Sequence, residues 1–227
     1  MNPRAVGSLP YALARLGARH GQRPDEAAWR RIENLRGFAP ALEEARRTTL
    51  RARLVGITAD SGAAQVEAML RTQAQVMVEE VADWMDPAWR EAITWCALLP
   101  DLAALQHVAR GGAAPAWLGE APPGLALDQP ERLGQAWFTE WQRRWPRHND
   151  IEGEDDVLPA FAALLQRLLP GGLAQRAGLK AQLTLLRRRA GLQPAAVFIH
   201  LALDALDWER LRAELLRRAW FPPWKVA

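Results

Sequence analysis

The stretch from Val66 to Trp84, VEAMLRTQAQVMVEEVADW, decides the fold. With each residue turned by about 100° along a helix, one set of side chains falls within a narrow arc. This set consists of Val66, Leu70, Gln73, Met77, Val81 and Trp84. The opposite side carries Arg71, Gln75 and Glu79. The pattern therefore predicts an amphipathic helix with Asp60 or Ser61 as its cap and Arg71 on the solvated face.

The same helical period recurs on both sides of this stretch, and no segment alternates in the manner of a strand. Glycines and prolines separate the helices, which are expected at about Leu9 to His20, Asp25 to Arg36, Ala39 to Val55, Pro87 to Leu99, Pro100 to Gly111, Pro130 to Trp145, Val157 to Leu169, Leu173 to Ala190 and Pro194 to Arg218. The sequence thus predicts an all-α bundle of about ten helices.

Residues 111–129 contain four glycines and three prolines, and a fourth proline follows at Pro130. This composition is typical of a long irregular connection. On this basis we expect two helical groups, an N-terminal one at residues 1–112 and a C-terminal one at 130–227, joined by a Pro/Gly-rich connection at 113–129.

The composition indicates that the chain has enough apolar residues to form a core without disulfides, and it argues against several functions. Hydrophobic residues make up 49% of the 227 residues, and Cys96 is the single cysteine, so no internal disulfide can form. The formal charge is only +3, which does not favour nucleic-acid binding despite a pI near 9.7. No apolar run approaches the length of a transmembrane helix, so we expect no membrane span and a cytoplasmic protein.

The residues that usually perform chemistry are scarce. A phosphate-binding loop needs Gly-Lys-Ser/Thr, but the two lysines, Lys180 and Lys225, follow Leu179 and Trp224. Ser8 and Ser61 stand at a chain start and a helix cap rather than at a nucleophile elbow. We therefore expect no enzymatic activity and no cofactor.

Two arrangements resemble metal sites without completing one. Residues 148–153 match half of a calcium loop, but its twelfth position is Pro159 where a glutamate is required. His200 and Asp204 share a helical face at a spacing that can hold a metal, with His107 as a further candidate. A metal-dependent enzyme using His200 and Asp204 is therefore an alternative, and a buried histidine satisfied by a neighbour is favoured.

Aromatic and basic clusters supply the candidate binding residues. Trp137, Trp141 and Trp145 follow Leu133 at every fourth position, which is typical either of a helix-packing core or of a docking surface. Trp220, Phe221 and Trp224 lie beyond the predicted last helix and form either a strap over the domain or a partner-binding tail. The basic runs 187–189 and 217–218 are expected on exposed helix faces, with acidic lipid or protein as the alternative ligand.

Several short motifs resemble the C/d subunit family of rotary V-type and A-type ATPases. They are Tyr11-Ala12-x-Ala14-Arg15, Leu42 followed by Thr49, Val66-Glu67-x-x-Leu70 and Trp208-Glu209-Arg210-Leu211-Arg212. The resemblance implies a helical socket without an active site, which links the central shaft to the membrane rotor ring. Family members have three such units, and this chain has room for about two.

We therefore expect a non-catalytic helical subunit or adaptor that binds other protein subunits at the inner face of a membrane. A helical scaffold or regulatory protein unrelated to rotary ATPases is the main alternative.

Overall fold

The computed structural model of the chain describes residues 7–125, 127–146, 157–168 and 178–221. Of these residues 74% are helical, and none of them lies in a β-strand, so the predicted all-α class is confirmed. The α-helices in this part of the chain are α1 Leu9–Gly21, α2 Glu26–Asn34, α3 Phe38–Arg46, α4 Ala63–Trp84, α5 Arg90–Trp95, α6 Leu102–Ala109, α7 Leu133–Arg143, α8 Val157–Leu168, α9 Leu179–Ala190 and α10 Ala195–Trp220. Shorter 3-10 helices occur at Thr49–Arg53, Pro87–Trp89, Cys96–Asp101 and Pro130–Arg132. The half calcium loop at 148–153 lies outside the described residues.

The start of α2 follows the cap that the sequence supplies. The Asp25 carboxylate accepts a hydrogen bond from Ala28 N at 2.7 Å and starts α2. Two predicted helices are divided in the structure, since 87–99 forms α5 between two 3-10 helices and 39–55 forms α3 and a 3-10 helix. At this division the Thr48 hydroxyl donates to Ala45 O at 2.7 Å and accepts from Leu50 N at 3.1 Å. Such local side-chain bonds compete with a continuing helix.

Residues 111–129 contain no helix where the structure describes them. Gly111 has a φ of +87°, the left-handed conformation in which helices often end, and its N–H donates to Val108 O at 2.9 Å. Glycine is the residue that adopts this conformation without steric cost.

The contacts divide the chain into two compact units. Unit 1 comprises Met1–Leu16 and Val78–Asp204, and unit 2 comprises Gly17–Met77 and Ala205–Ala227. Each unit is therefore built from two separate stretches of sequence. The sequence-based division at residues 113–129 rests on composition and stays a prediction.

Unit 1 has an aromatic core. The Trp141 ring meets Phe198 and Phe161 edge-on, with ring centroids 5.2 Å and 6.0 Å away. The indole nitrogens of Trp95 and Trp137 each donate to the other residue's carbonyl, at 3.0 Å and 3.3 Å. The core thus satisfies these indole donors while it buries the rings.

Unit 2 has a mainly aliphatic core formed by α2, α3, the 3-10 helix Thr49–Arg53 with the residues that follow it, the first part of α4 and the last part of α10. Its buried members are Trp29, Ile32, Leu42, Ala45, Leu50, Leu54, Ile57, Val66, Leu70, Trp208, Leu211, Leu215 and Leu216. The predicted apolar face of α4 is confirmed at Val66 and Leu70, whose side chains are fully buried in this cluster.

One described segment, Pro87–Ala109, is long and apolar enough to cross a membrane by length and composition, with a mean hydropathy of 1.2. The segment contains Pro100 within a 3-10 helix, and Trp89, Ile93 and Trp95 are buried in unit 1. Core helices of folded domains meet the same criteria, so the described residues contain no clear transmembrane segment.

Candidate interaction surface at the end of α10

The tryptophans of α7 lie mainly inside unit 1. Trp137 and Trp141 have no exposed surface, and their rings stack with centroids 5.9 Å apart. Trp145 follows α7, is half-buried and meets Trp141 edge-on at 4.9 Å. The spacing of one tryptophan at every fourth residue allowed either a helix-packing core or a docking surface. The packing of Trp137 and Trp141 agrees with the core interpretation, and a partner cannot reach their rings in this structure.

The candidate metal pair is buried in unit 1. His200 and Asp204 lie one turn apart on α10 with 2% and 5% of their surfaces exposed. In the described part of the chain, no group of three His, Cys, Asp or Glu side chains is placed to hold a metal ion. His107 on α6 is exposed and joins no such group. The structure therefore supplies no third ligand for the predicted pair among these residues.

Two buried side chains with a hydroxyl or a thiol, Ser61 and Cys96, take part in local hydrogen bonds. The Ser61 hydroxyl is buried and accepts a hydrogen bond from Thr58 N at 3.0 Å in the turn before α4. The Cys96 thiol donates to Ala92 O at 3.4 Å, and burial raises its pKa to about 12. Because the thiolate is the reactive form, Cys96 is held in its unreactive state near neutral pH.

The C-terminal end of α10 is fastened to the C-terminal end of α2 by Arg218. Its Nε donates to Leu35 O at 2.8 Å, and its Nη2 donates to Ile32 O and Glu33 O at 3.0 Å each. Its Nη1 donates to both the carbonyl and the carboxylate of Glu214, at 2.6 Å and 2.5 Å. Carbonyls at a helix C-terminus have no partner within the helix and attract cations, so the guanidinium fits this position.

Arg218 corrects the expectation that both arginines of the pair 217–218 are exposed. Its surface is 1% exposed, whereas the Arg217 side chain is 58% exposed. We refer to Arg218, Glu214 and the three carbonyls of α2 and its C-cap as the α10 clamp. Its role was not predicted, because the sequence shows two adjacent arginines without showing which one meets α2.

Directly beyond the clamp, two aromatic side chains extend into solvent. Trp220 is 63% exposed and Phe221 is 74% exposed. Trp220 is the only exposed tryptophan among the described residues. Trp224, the third residue of the predicted tail, lies outside the described residues. We call the pair Trp220 and Phe221 the aromatic end of α10.

The clamp also perturbs the ionisation of Glu214. Burial opposes the charged form, but the hydrogen bonds from Arg218 and Arg217 outweigh it and hold the pKa of the Glu214 carboxyl below its ordinary value of 4.5. A lowered folded-state pKa contributes stability that is present above pH 4.5 and is lost as the pH falls through the folded value.

Replacing Glu214 with Gln is therefore expected to have a pH-dependent effect. At neutral pH the E214Q variant should be less stable by about 1.5 kcal/mol, as for one charged hydrogen bond. The difference from the wild type should narrow as the pH falls below 4.5 and through the lowered folded-state pKa. Urea unfolding at several pH values measures both curves, and parallel curves would contradict the assignment.

Two of the four motifs that carry the family resemblance, residues 66–70 on α4 and 208–212 on α10, meet inside unit 2, whereas the motif at residues 11–15 belongs to unit 1. Glu67 is 4% exposed and binds two arginines, with 2.6 Å from Oε1 to Arg71 Nε and 2.6 Å from Oε2 to Arg212 Nε. The Trp208 indole nitrogen donates to Leu70 O at 3.1 Å. The helix α4 motif and the helix α10 motif are thus in direct contact.

This contact corrects the expectation for Arg71. The residue is 9% exposed, so it does not lie on a solvated face. The spacing of Glu67 and Arg71 by four residues signals a helical ion pair, but an ion pair of this spacing is usually exposed. Only the approach of α10 explains why this one is buried.

Comparison of the chain with models of protein families, with curated proteins and with solved structures gives no match. A functional assignment therefore depends on the sequence and structure of this chain alone.

Proposed function

We propose that this chain is a non-catalytic helical subunit or adaptor that binds other proteins through the aromatic end of α10. The observation that carries the proposal is the exposure of Trp220 and Phe221 on an anchored helix end. Exposed adjacent aromatic side chains lose the stabilisation that burial would give them, about 1.5 to 3 kcal/mol for a phenylalanine.

The α10 clamp makes this end suited to docking. Since Arg218 is fixed to three carbonyls, the backbone that carries Trp220 two residues later is held in place. A preorganised anchor loses little conformational entropy when a partner binds. Tryptophan is enriched among interface residues that contribute about 2 kcal/mol or more, which is the level a single docking anchor requires.

The resemblance to the C/d subunits of rotary ATPases supports a membrane-associated complex as the setting. Two of its four motifs, one on α4 and one on α10, form one packed cluster around Glu67 and Trp208 within unit 2. A subunit of this kind links other proteins and needs no active site. With two compact units instead of three, the chain is proposed as a shortened relative that serves as an adaptor.

The test is the double variant Trp220→Ala with Phe221→Ala, isolated with its partners from native membranes. Because both side chains are exposed, the unfolding free energy should change by less than about 0.5 kcal/mol. Recovery of the bound subunits should fall roughly 30-fold, as expected for the loss of one anchor. Mass spectrometry of the wild-type complex identifies the subunits.

The matched control removes exposed apolar groups elsewhere in unit 2, by Val55→Ala with Val76→Ala, at sites that are 58% and 50% exposed. This control should retain full recovery of partners. Rotor-ring subunits in the wild-type complex would support the rotary ATPase setting, and another set would assign the adaptor to a different machine. Unchanged recovery with the aromatic variant would contradict docking, and a large loss of stability would indicate an internal strap.

A further inference from the structure

Helix α9 has a one-sided charge. Its sequence, LKAQLTLLRRRA, contains Lys180 and the three arginines 187–189, and it contains no acidic residue. The helix therefore carries four positive charges in 12 residues, although the whole chain carries only +3. The docking function proposed above does not use this charge.

The charged helix also presents apolar surface to solvent. Leu183 and Ala190 are buried and hold α9 in unit 1. On the other side Leu185 is 52% exposed beside the exposed Arg188 and Arg189, and Leu192, in the turn that follows, is 79% exposed. Basic and apolar groups thus share one surface, which we call the α9 face.

An open cleft of about 600 Å³ runs along this face. Its lining includes Lys180, Thr184 and Arg188, which follow one another at intervals of four residues and form one stripe of the helix. Ala181 and Leu185 border the same cleft. The cleft therefore combines cations with aliphatic carbon at the surface of the molecule.

We infer that the α9 face binds a membrane surface that contains anionic phospholipid. The arginines match the phosphate groups, and the exposed leucines can enter the boundary between headgroups and acyl chains. Nucleic acid would use the charges alone, because an aliphatic leucine finds no partner on a phosphate backbone. This inference does not depend on the docking of a protein at the aromatic end of α10.

The test is co-sedimentation of the full chain with lipid vesicles. Vesicles of phosphatidylcholine with about one-third phosphatidylglycerol should bind the protein, and pure phosphatidylcholine should bind it much more weakly. Arg188→Gln with Arg189→Gln should weaken binding roughly 10- to 30-fold, since each basic residue near an anionic surface contributes measurably. Raising the salt to about 1 M should also release the protein, because the charges are then screened.

Two controls distinguish lipid binding by the α9 face from binding that depends only on the positive charge of the protein and from attraction to any polyanion. Arg30→Gln with Arg51→Gln removes two exposed arginines from unit 2 and should leave vesicle binding unchanged. Leu185→Gln with Leu192→Gln should weaken vesicle binding several-fold but leave binding to polyphosphate, a soluble polyanion, unchanged. Circular dichroism checks that each variant is folded.

Three outcomes would overturn the inference. They are failure of the wild type to bind anionic vesicles, an equal loss in both arginine variants, and unchanged vesicle binding in the leucine variant. The variant with Trp220→Ala and Phe221→Ala should bind vesicles normally. If it alone lost vesicle binding, the lipid contact would lie at the aromatic end of α10 and the α9 assignment would be wrong.

Discussion

Replacing Arg218 with Ala is expected to destabilise the protein by about 3 to 5 kcal/mol, the range for breaking a buried charged pair. The substitution removes the Arg218 donors to Leu35 O and Glu33 O, leaves Ile32 O with the Leu35 N–H alone, and takes the buried partner from the Glu214 carboxylate. Unpaired buried acceptors lose their solvation without compensation. The midpoint of urea unfolding, followed by far-ultraviolet circular dichroism, measures the loss.

The neighbouring arginine provides the matched control. Arg217→Ala removes the same side chain from an exposed position, where its contact with Glu214 is open to water, and should cost no more than about 0.5 kcal/mol. Arg218→Lys should recover only part of the stability, because a single ammonium cannot reproduce the planar fork of the guanidinium. Similar losses for Arg217→Ala and Arg218→Ala would contradict the clamp.

The contrast between these two arginines shows which features of the structure can be predicted from the sequence and which cannot. The class of fold followed from local patterns, because helical periodicity and caps such as Asp25 are properties of neighbouring residues. The absence of a helix from the described part of 111–129 was predictable for the same reason, since Gly111 and the prolines act on their own backbone. Whether Arg217 or Arg218 is buried depends on α2, about 180 residues earlier in the chain, and no local pattern reports it.

For the aromatic residues too, the sequence pattern does not show which side chains are buried. Tryptophans at every fourth residue of α7 are equally compatible with a core and with a docking surface, because both need apolar side chains on one helical face. Burial in unit 1 distinguishes Trp137 and Trp141 from Trp220, which is exposed beyond the clamp. The candidate surface was thus partly predictable by residue type, but its confinement to the end of α10 required tertiary contacts.

Replacing Glu67 with Ala is expected to cost about 3 kcal/mol, because a buried carboxylate that binds two guanidinium groups is lost. Arg71, with 10% of its side chain exposed, would lose this carboxylate within the protein, whereas Arg212, with 34% exposed, can turn towards water. The penalty should therefore lie near the lower end of the range for broken buried pairs. The control is Glu43→Ala, since the Glu43 side chain is 60% exposed in its pair with Arg46 and should contribute less than about 0.5 kcal/mol.

A second variant decides whether the cost of Glu67→Ala comes from the disrupted charge pairing. The double variant Glu67→Met with Arg71→Met removes both buried charges and fills the space with apolar groups. It should therefore recover most of the stability that Glu67→Ala loses. Equal losses in the single and double variants would show that packing around Trp208, rather than charge, sets the stability of this cluster. A Glu67→Ala variant as stable as the Glu43→Ala control would contradict the ion-pair network itself. If recovery is seen, the motif residues Glu67 and Arg212 hold α4 against α10 within unit 2, and their role in the proposed adaptor is to build its frame.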